Sequence, residues 1–160
     1  MMENDTELYE AIRRYAARLL SDPESAQDVA QEVFLRLEQN REEILQPRAW
    51  VYRTARNLVV DLFRKKGKMD HSDEAVDNLP AEATRFSPAL LAEKKETIEM
   101  LNKKMNNLSA RHREVLRLKF QEGLKYAEIA EVLELSVPTV GWLIHEAVTK
   151  LRRELGGVES

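Results

Sequence analysis

Apolar residues recur at intervals of three and four along most of this 160-residue chain. That spacing lines up side chains on one face of an α-helix. Leu8, Ile12, Tyr15 and Leu19 define a first helix over residues 7–20. Asp22-Pro23 interrupts the period, and a second helix is expected over 24–38 with Val29, Val33 and Leu37 inward. Residues 39–47 read as a polar loop. A third helix over 48–66 is amphipathic through Val51, Ala55, Leu58, Val59 and Leu62, and ends in the basic run Arg64-Lys65-Lys66 before Gly67. Cations in a last turn complement the helix dipole, so a solvated helix end is the plain reading of that run.

Residues 67–92 carry two prolines, no sustained period and a net charge of −3, from 2 Lys/Arg against 5 Asp/Glu. That composition reads as a linker. The period returns beyond it. Tyr126, Ile129, Ala130 and Leu133 mark a short helix, and Leu135-Ser136 breaks the pattern. Ser136 is placed to cap the next helix. Pro138 falls in that helix's first turn, where its missing N–H is harmless. Val140, Ile144, Ala147 and Leu151 continue as a new stripe. Small Ala130 near the crossing lets the two helices approach, as a helix-turn-helix requires. A generic helical bundle would show the same stripes.

The fold expected is therefore all-α: two small helical domains, 1–66 and 93–160, joined by a flexible acidic linker at 67–92, the second with a helix-turn-helix. The first carries 11 Lys/Arg against 12 Asp/Glu and the second 12 against 11, or −1 and +1. Each is about the size of a three- or four-helix unit. Bulk composition, 43% hydrophobic and 33% charged, is that of a globular helical protein. There is no cysteine, hence no disulfide framework or thiolate nucleophile. No apolar run nears the ~18 residues of a membrane span, and the acidic N-terminus lacks a secretion signal. A cytoplasmic protein without membrane contact is expected. The net charge of −3 argues against indiscriminate coating of nucleic acid.

Three segments in series carry a resemblance. DVAQEVFLRL (28–37), PRAWVYRTARNLVVDLFRKK (47–66) and LSARHREVLRLKFQEGLKYAEIAEVLELSVPTV (108–140) together resemble a bacterial RNA polymerase sigma factor of the extracytoplasmic-function group, regions 2 and 4 of the sigma-70 family. The resemblance implies a transcription initiation factor that binds core RNA polymerase, at the β′ clamp helices and the β flap, and brings it to promoter DNA. An anti-sigma factor is a further partner the family admits. By position, Asp28, Gln31, Glu32 and Phe34, with Glu38 nearby, are implied to contact the clamp. That face mixes carboxylates, an amide and apolar groups, as a partner surface would.

The third helix resembles the part of the family that opens the −10 element, where a flipped base is held between the preceding loop and the position of Asn57. An Asn amide offers the donor and acceptor that a base edge needs. Arg53, Arg56, Arg64, Lys65 and Lys66 are implied to hold phosphates of the separated strand. Trp50 and Tyr52 are candidates for stacking, although an aromatic at a helix start, as Trp50 is, more often enters the core. The acidic loop tip at Glu42 and Glu43 is an awkward neighbour for DNA. Few residues precede the first helix, so the first domain is expected to be a minimal three-helix version with its core more exposed or completed by a partner.

The second domain is implied to read the −35 element through Pro138, Thr139, Gly141, Trp142 and His145, with Arg111, Arg113, Arg117 and Lys119 on the DNA backbone. Here the chain departs from the family pattern. Gly141, Leu143 and Glu146 stand at positions expected to face outward, where the family offers cations, and Glu134 occupies the turn where Gly is customary. Trp142 and Leu143 leave three readings open: apolar contacts in the groove, packing on a protein partner, or burial within the domain. A sigma-like interaction protein with little promoter readout of its own is the alternative function. An enzyme fits poorly, because His71, His112 and His145 are scattered without metal-ligand spacing and no phosphate loop or nucleophile elbow occurs. No cofactor or metal is expected.

Overall fold

The computed structural model of the chain describes residues 3–67 and 95–156. All regular structure among them is helical: α1 Glu3–Leu20, α2 Pro23–Asn40, a 3₁₀ turn Arg41–Glu43, α3 Pro47–Lys65, α4 Lys95–Met105, α5 Ala110–Leu116, a π-turn Arg117–Gln121, α6 Tyr126–Leu133 and α7 Val137–Leu155. Local chemistry sets the boundaries. Asp22 caps α2, accepting the Glu24 N–H at 3.2 Å and the Ser25 hydroxyl at 2.6 Å, with Pro23 as the first helical residue. Ser136 caps α7 by accepting the Thr139 N–H at 3.2 Å, and Pro138 sits in the first turn. At the head of α6 the Glu128 carboxylate accepts the Lys125 N–H at 2.8 Å.

Helices α1, α2 and α3 pack on one another, and α4, α5 and α6 each pack on α7. Ile12, Tyr15, Leu19, Val29, Val33, Leu37, Val51, Ala55 and Val59 fill the first unit. Ile129, Ala130, Leu133, Val140, Ile144 and Ala147 fill the second. The expected stripes are thus the cores, while Leu8, Leu58, Leu62 and Leu151 lie only partly buried at their margins.

The second unit lies directly on the first. Helix α6 packs along α3, and the buried residues of both units join in one cluster. The three-helix first unit is completed by the chain's own second unit. Residues 68–94, and with them most of the expected acidic linker and His71, lie outside the described residues.

Several expected orientations are corrected. Phe34 faces inward, 5% exposed, and meets Tyr9 edge-on at 5.4 Å between ring centroids. It lies three residues beyond Gln31, on the flank of α2 turned toward α1. Tyr126 is exposed at the start of its helix, whereas Leu143 is buried beside Val140 and Ile144. Glu146 is turned back into the second unit, where its carboxylate meets His112 Nε2 at 2.7 Å. Apolar burial decides Phe34 and Leu143, the contact with His112 turns Glu146, and Tyr126 can keep its hydroxyl wet.

Candidate polymerase and nucleic-acid interfaces

Helix α2 buries Ala26, Val29, Ala30, Val33, Phe34 and Leu37. Its opposite face presents Asp28, Gln31, Leu35 and Glu38 to solvent, with Glu32 half-buried beside them. Glu32 pairs with Arg36 at 2.7 Å, and Glu38 with Arg41 at 3.1 Å. Leu35 is 56% exposed with no apolar cover. This is a polar row with one greasy centre. Phe34, expected in it, is absent from it.

Helix α3 divides its polar residues between two environments. Asn57, Lys65 and Lys66 are exposed and Arg64 is half-buried. Arg56, expected along a phosphate track, is instead buried and clamped to Glu114 of α5, the second arm of the pair at 3.2 Å. Arg53 is half-exposed and sits 3.4 Å from Glu134. Before α3, the loop and the helix start enclose an open cleft of about 560 Å³. It is lined by Asn40, Glu43, Ile44, Leu45, Gln46 and Trp50, with Glu131 reaching in from α6. Trp50 is half-buried, one side on the core and the other on the cleft.

On the helix-turn-helix, Pro138, Thr139, Trp142 and His145 are exposed at the head and along one side of α7, and Gly141 is half-buried among them. Trp142 is 59% exposed, so burial within the domain is not its fate. Arg111 is half-buried. Arg113 is buried, donating to the Leu108 carbonyl at 2.6 Å, and its expected place on a DNA backbone is corrected accordingly. Burial alone pushes the Arg113 guanidinium below its usual range.

Among the described residues, the junction of the two units carries four ion pairs. Besides Arg56–Glu114 and Arg53–Glu134, Arg18 pairs with Glu122, whose other oxygen accepts the Tyr52 hydroxyl at 3.0 Å. Arg48 reaches Glu128 at 3.2 Å and donates to the Glu122 and Gly123 carbonyls at 3.2 and 3.3 Å. In each of these four pairs the first unit supplies the arginine and the second the carboxylate. Burial, with Glu122 beside it, raises Tyr52, so its phenol stays protonated and remains a donor. Tyr15 is raised by burial and then by Glu114.

The junction is also incompletely satisfied. Arg117 is fully buried, and none of its three guanidinium nitrogens has a hydrogen-bond partner. Burial pushes it down to about 10, which leaves it charged at neutral pH. The Tyr15 hydroxyl, Arg18 Nε and both amide atoms of Gln121 lack partners too. A buried polar group without a partner costs about 1–3 kcal/mol, more when charged. Glu134 adds strain: at φ 57°, ψ 47° it holds the left-handed conformation that costs a non-glycine residue about 1 kcal/mol.

Arg117, expected on a DNA backbone, is instead buried in this junction; Glu114, Glu122 and Gln121 were missed by the sequence reading. One signal was present: Glu114, Arg117 and Gln121 repeat at helical spacing beside the apolar Val115 and Leu118, a polar stripe on a face that should be dry. No group of three or more His, Asp or Glu among the described residues is arranged to hold a metal ion. No described helix is long and apolar enough to cross a membrane.

Comparison with known proteins places both units. Residues 6–69 match the sigma-70 region 2 family, and residues 98–151 match sigma-70 region 4. The ECF RNA polymerase sigma factor SigL of Mycobacterium tuberculosis is 34% identical over 156 residues, covering 89% of this chain and 83% of SigL. SigW of Bacillus subtilis is 31% identical over 148 residues, 86% of this chain and 79% of its own. The ferric citrate uptake sigma factor FecI of Escherichia coli is 30% identical over 139 residues, with 86% and 80% covered. Among solved structures, the sigma factor RpoE in complex with the anti-sigma factor NepR from Bartonella quintana superposes with a TM-score of 0.67 over 99% of this chain and 97% of that one. At 22% identity this is a likeness of fold.

Proposed function

This chain belongs to the ECF RNA polymerase sigma factors of the sigma-70 family, and from that membership we propose how its surfaces divide the work of initiation. The protein is a transcription initiation factor that directs RNA polymerase to promoters. It works in the cytoplasm and has no catalysis of its own. Core polymerase binds the outward row of α2: Asp28, Gln31, Glu32, Leu35 and Glu38. The exposed Leu35 amid carboxylates and an amide is the single observation that carries this assignment, because an uncovered apolar centre with a polar rim is the anatomy of an interface.

The first unit, 1–66, opens the −10 element. A base leaving the duplex would enter the cleft beside Trp50 and Gln46, at a cost of a few kcal/mol in lost stacking and pairing. Asn57 reads a base edge, and Arg64, Lys65 and Lys66 follow the strand, joined by Arg53 and Arg56 when the second unit moves away. The second unit, 93–160, meets the −35 element through Thr139, Trp142 and His145, with the N-terminus of α7 toward phosphate. Residues 137–149 contain no Lys or Arg, so this contact leans on apolar and imidazole groups more than on charge. Residues 67–92 join the two.

Gel filtration with core polymerase tests the first assignment. Gln31→Ala with Glu32→Arg is expected to abolish co-elution while leaving helicity and melting temperature unchanged. Undiminished co-elution would remove α2 as the polymerase contact.

A further inference from the structure

We propose that the outward face of α7 reads DNA through the C5-methyl groups of thymine, with Trp142 as the residue that decides specificity. The inference rests on the proposed contact between the second unit and the −35 element, and it names what that contact recognises.

The face is built mainly from apolar groups. Pro138, Trp142 and His145, four and three residues apart, are exposed in one row, with Thr139 on its flank. Val137 is exposed beside them at the head of the helix. Thr139 shares its hydroxyl with Ser136 Oγ at 2.7 Å, which leaves its methyl group as the free part. The ring of exposed Tyr126 lies on Gly141, the chain neighbour of Trp142, and extends the apolar surface there.

Charge is absent from the row itself. Residues 137–149 hold no Lys or Arg and a single carboxylate, Glu146. That carboxylate is held by His112 Nε2 at 2.7 Å, so it is not free to accept from a base. Cations stand around the row instead. Lys119 lies over the Tyr126 ring, 5.2 Å from its centroid, Lys125 is exposed at the head of α6, and Lys150 is exposed farther along α7. A basic rim suits the phosphates on the two sides of a groove, and an uncharged centre offers a base edge little besides apolar contact. Among the four bases, only thymine presents a methyl group in the major groove. An indole can cover that methyl. Its N–H, a donor only, can meet the neighbouring O4 acceptor.

Holoenzyme formed from the full chain and core polymerase first selects its element from duplex promoters randomised across the −35 window. The selected element is then synthesised with deoxyuridine at each thymine in turn. That change removes one methyl group and keeps every donor and acceptor. Native holoenzyme is expected to lose about fourfold in affinity at one or more thymines, the worth of one buried CH₂. The loss should be the same at low and high salt, because no charge is altered. Trp142→Ala should weaken binding to the thymine element and remove the response to deoxyuridine. Trp142→Phe should keep part of that response. Both variants should keep native helicity, since Trp142 is exposed.

An enriched element without thymine, or one in which no thymine responds to deoxyuridine, would overturn methyl readout and leave the −35 contact standing. A full deoxyuridine response in Trp142→Ala would remove Trp142 from the role. Should that variant bind too weakly to compare, Trp142→Phe decides, and an undiminished response there would overturn the assignment. Native affinity of Trp142→Ala on every template would overturn it too and assign the indole to a protein partner. No enrichment at all, from holoenzyme that still melts its promoters, would overturn the −35 contact itself.

Discussion

The ring of Tyr126, at the start of α6, lies against the bare Cα of Gly141 in α7. A methyl group on Gly141 would stand 3.5 Å from Tyr126 Cε2 and 3.7 Å from Cδ2. Those are ordinary contact distances, so the ring leaves just enough room. Gly141→Ala should therefore gain the helix propensity of alanine, about 0.5–1 kcal/mol, without a clash. Thermal unfolding followed by circular dichroism should show a rise of about 2–4 °C for each kcal/mol gained. A lower midpoint would mean that Tyr126 cannot yield.

Arg117 offers a gain in stability. Its desolvation is only partly offset, since Glu122 and Glu114 favour its charge through space but are committed to Arg18 and Arg56 and leave it without hydrogen bonds. Arg117→Met keeps the volume and removes the charge. Replacing buried charge by apolar groups of similar size is worth about 1–4 kcal/mol in favourable cases. The variant should unfold at a higher urea concentration than the native chain. An earlier urea midpoint would show that Arg117 contributes an attraction that outweighs its desolvation.

Helix α7 depends on its cap. Ser136 Oγ accepts the Thr139 N–H at 3.2 Å and shares a hydrogen bond with the Thr139 hydroxyl at 2.7 Å. Ser136→Ala should cost about 1 kcal/mol through the lost cap. It also frees the Thr139 hydroxyl, so promoter selectivity should shift as well as stability. Selection from a randomised −35 pool compares the two proteins, and identical preferences would show that Thr139 does not read DNA.

Asn57 is exposed on α3 and outside the junction. Asn57→Ala should slow promoter opening and leave polymerase binding intact, with a loss of about 1–3 kcal/mol of discrimination at one base. Permanganate footprinting of the melted region with core polymerase present reads this directly. A wild-type footprint at every template would remove Asn57 from the base-reading role.

The sequence by itself determined the elements of this protein. Helix periods, Asp22 and Ser136 as caps, Pro23 and Pro138 as first-turn residues and the stripes of both cores are all local, and each is decided by neighbours within a turn or two. The order of motifs likewise identified both sigma-70 regions, since family resemblance is written along the chain.

Tertiary structure alone decided which polar residues remain available. Arg56 and Asn57 are adjacent in sequence and equally polar, yet one is buried against Glu114, 58 residues away, and the other is in water. Phe34, expected on the outward face beside Leu35, turns inward for a similar reason. Phe34 finds Tyr9, which lies on another helix, and Leu35 finds nothing. Local periodicity fixes the direction of a side chain relative to its own helix axis. What covers that direction depends on how a second unit docks, and docking between distant segments leaves no period to read. The four Arg–Glu pairs and the burial of Arg117 without hydrogen bonds exist only because α6 lies along α3, a relationship set by the complementary surfaces of two folded units.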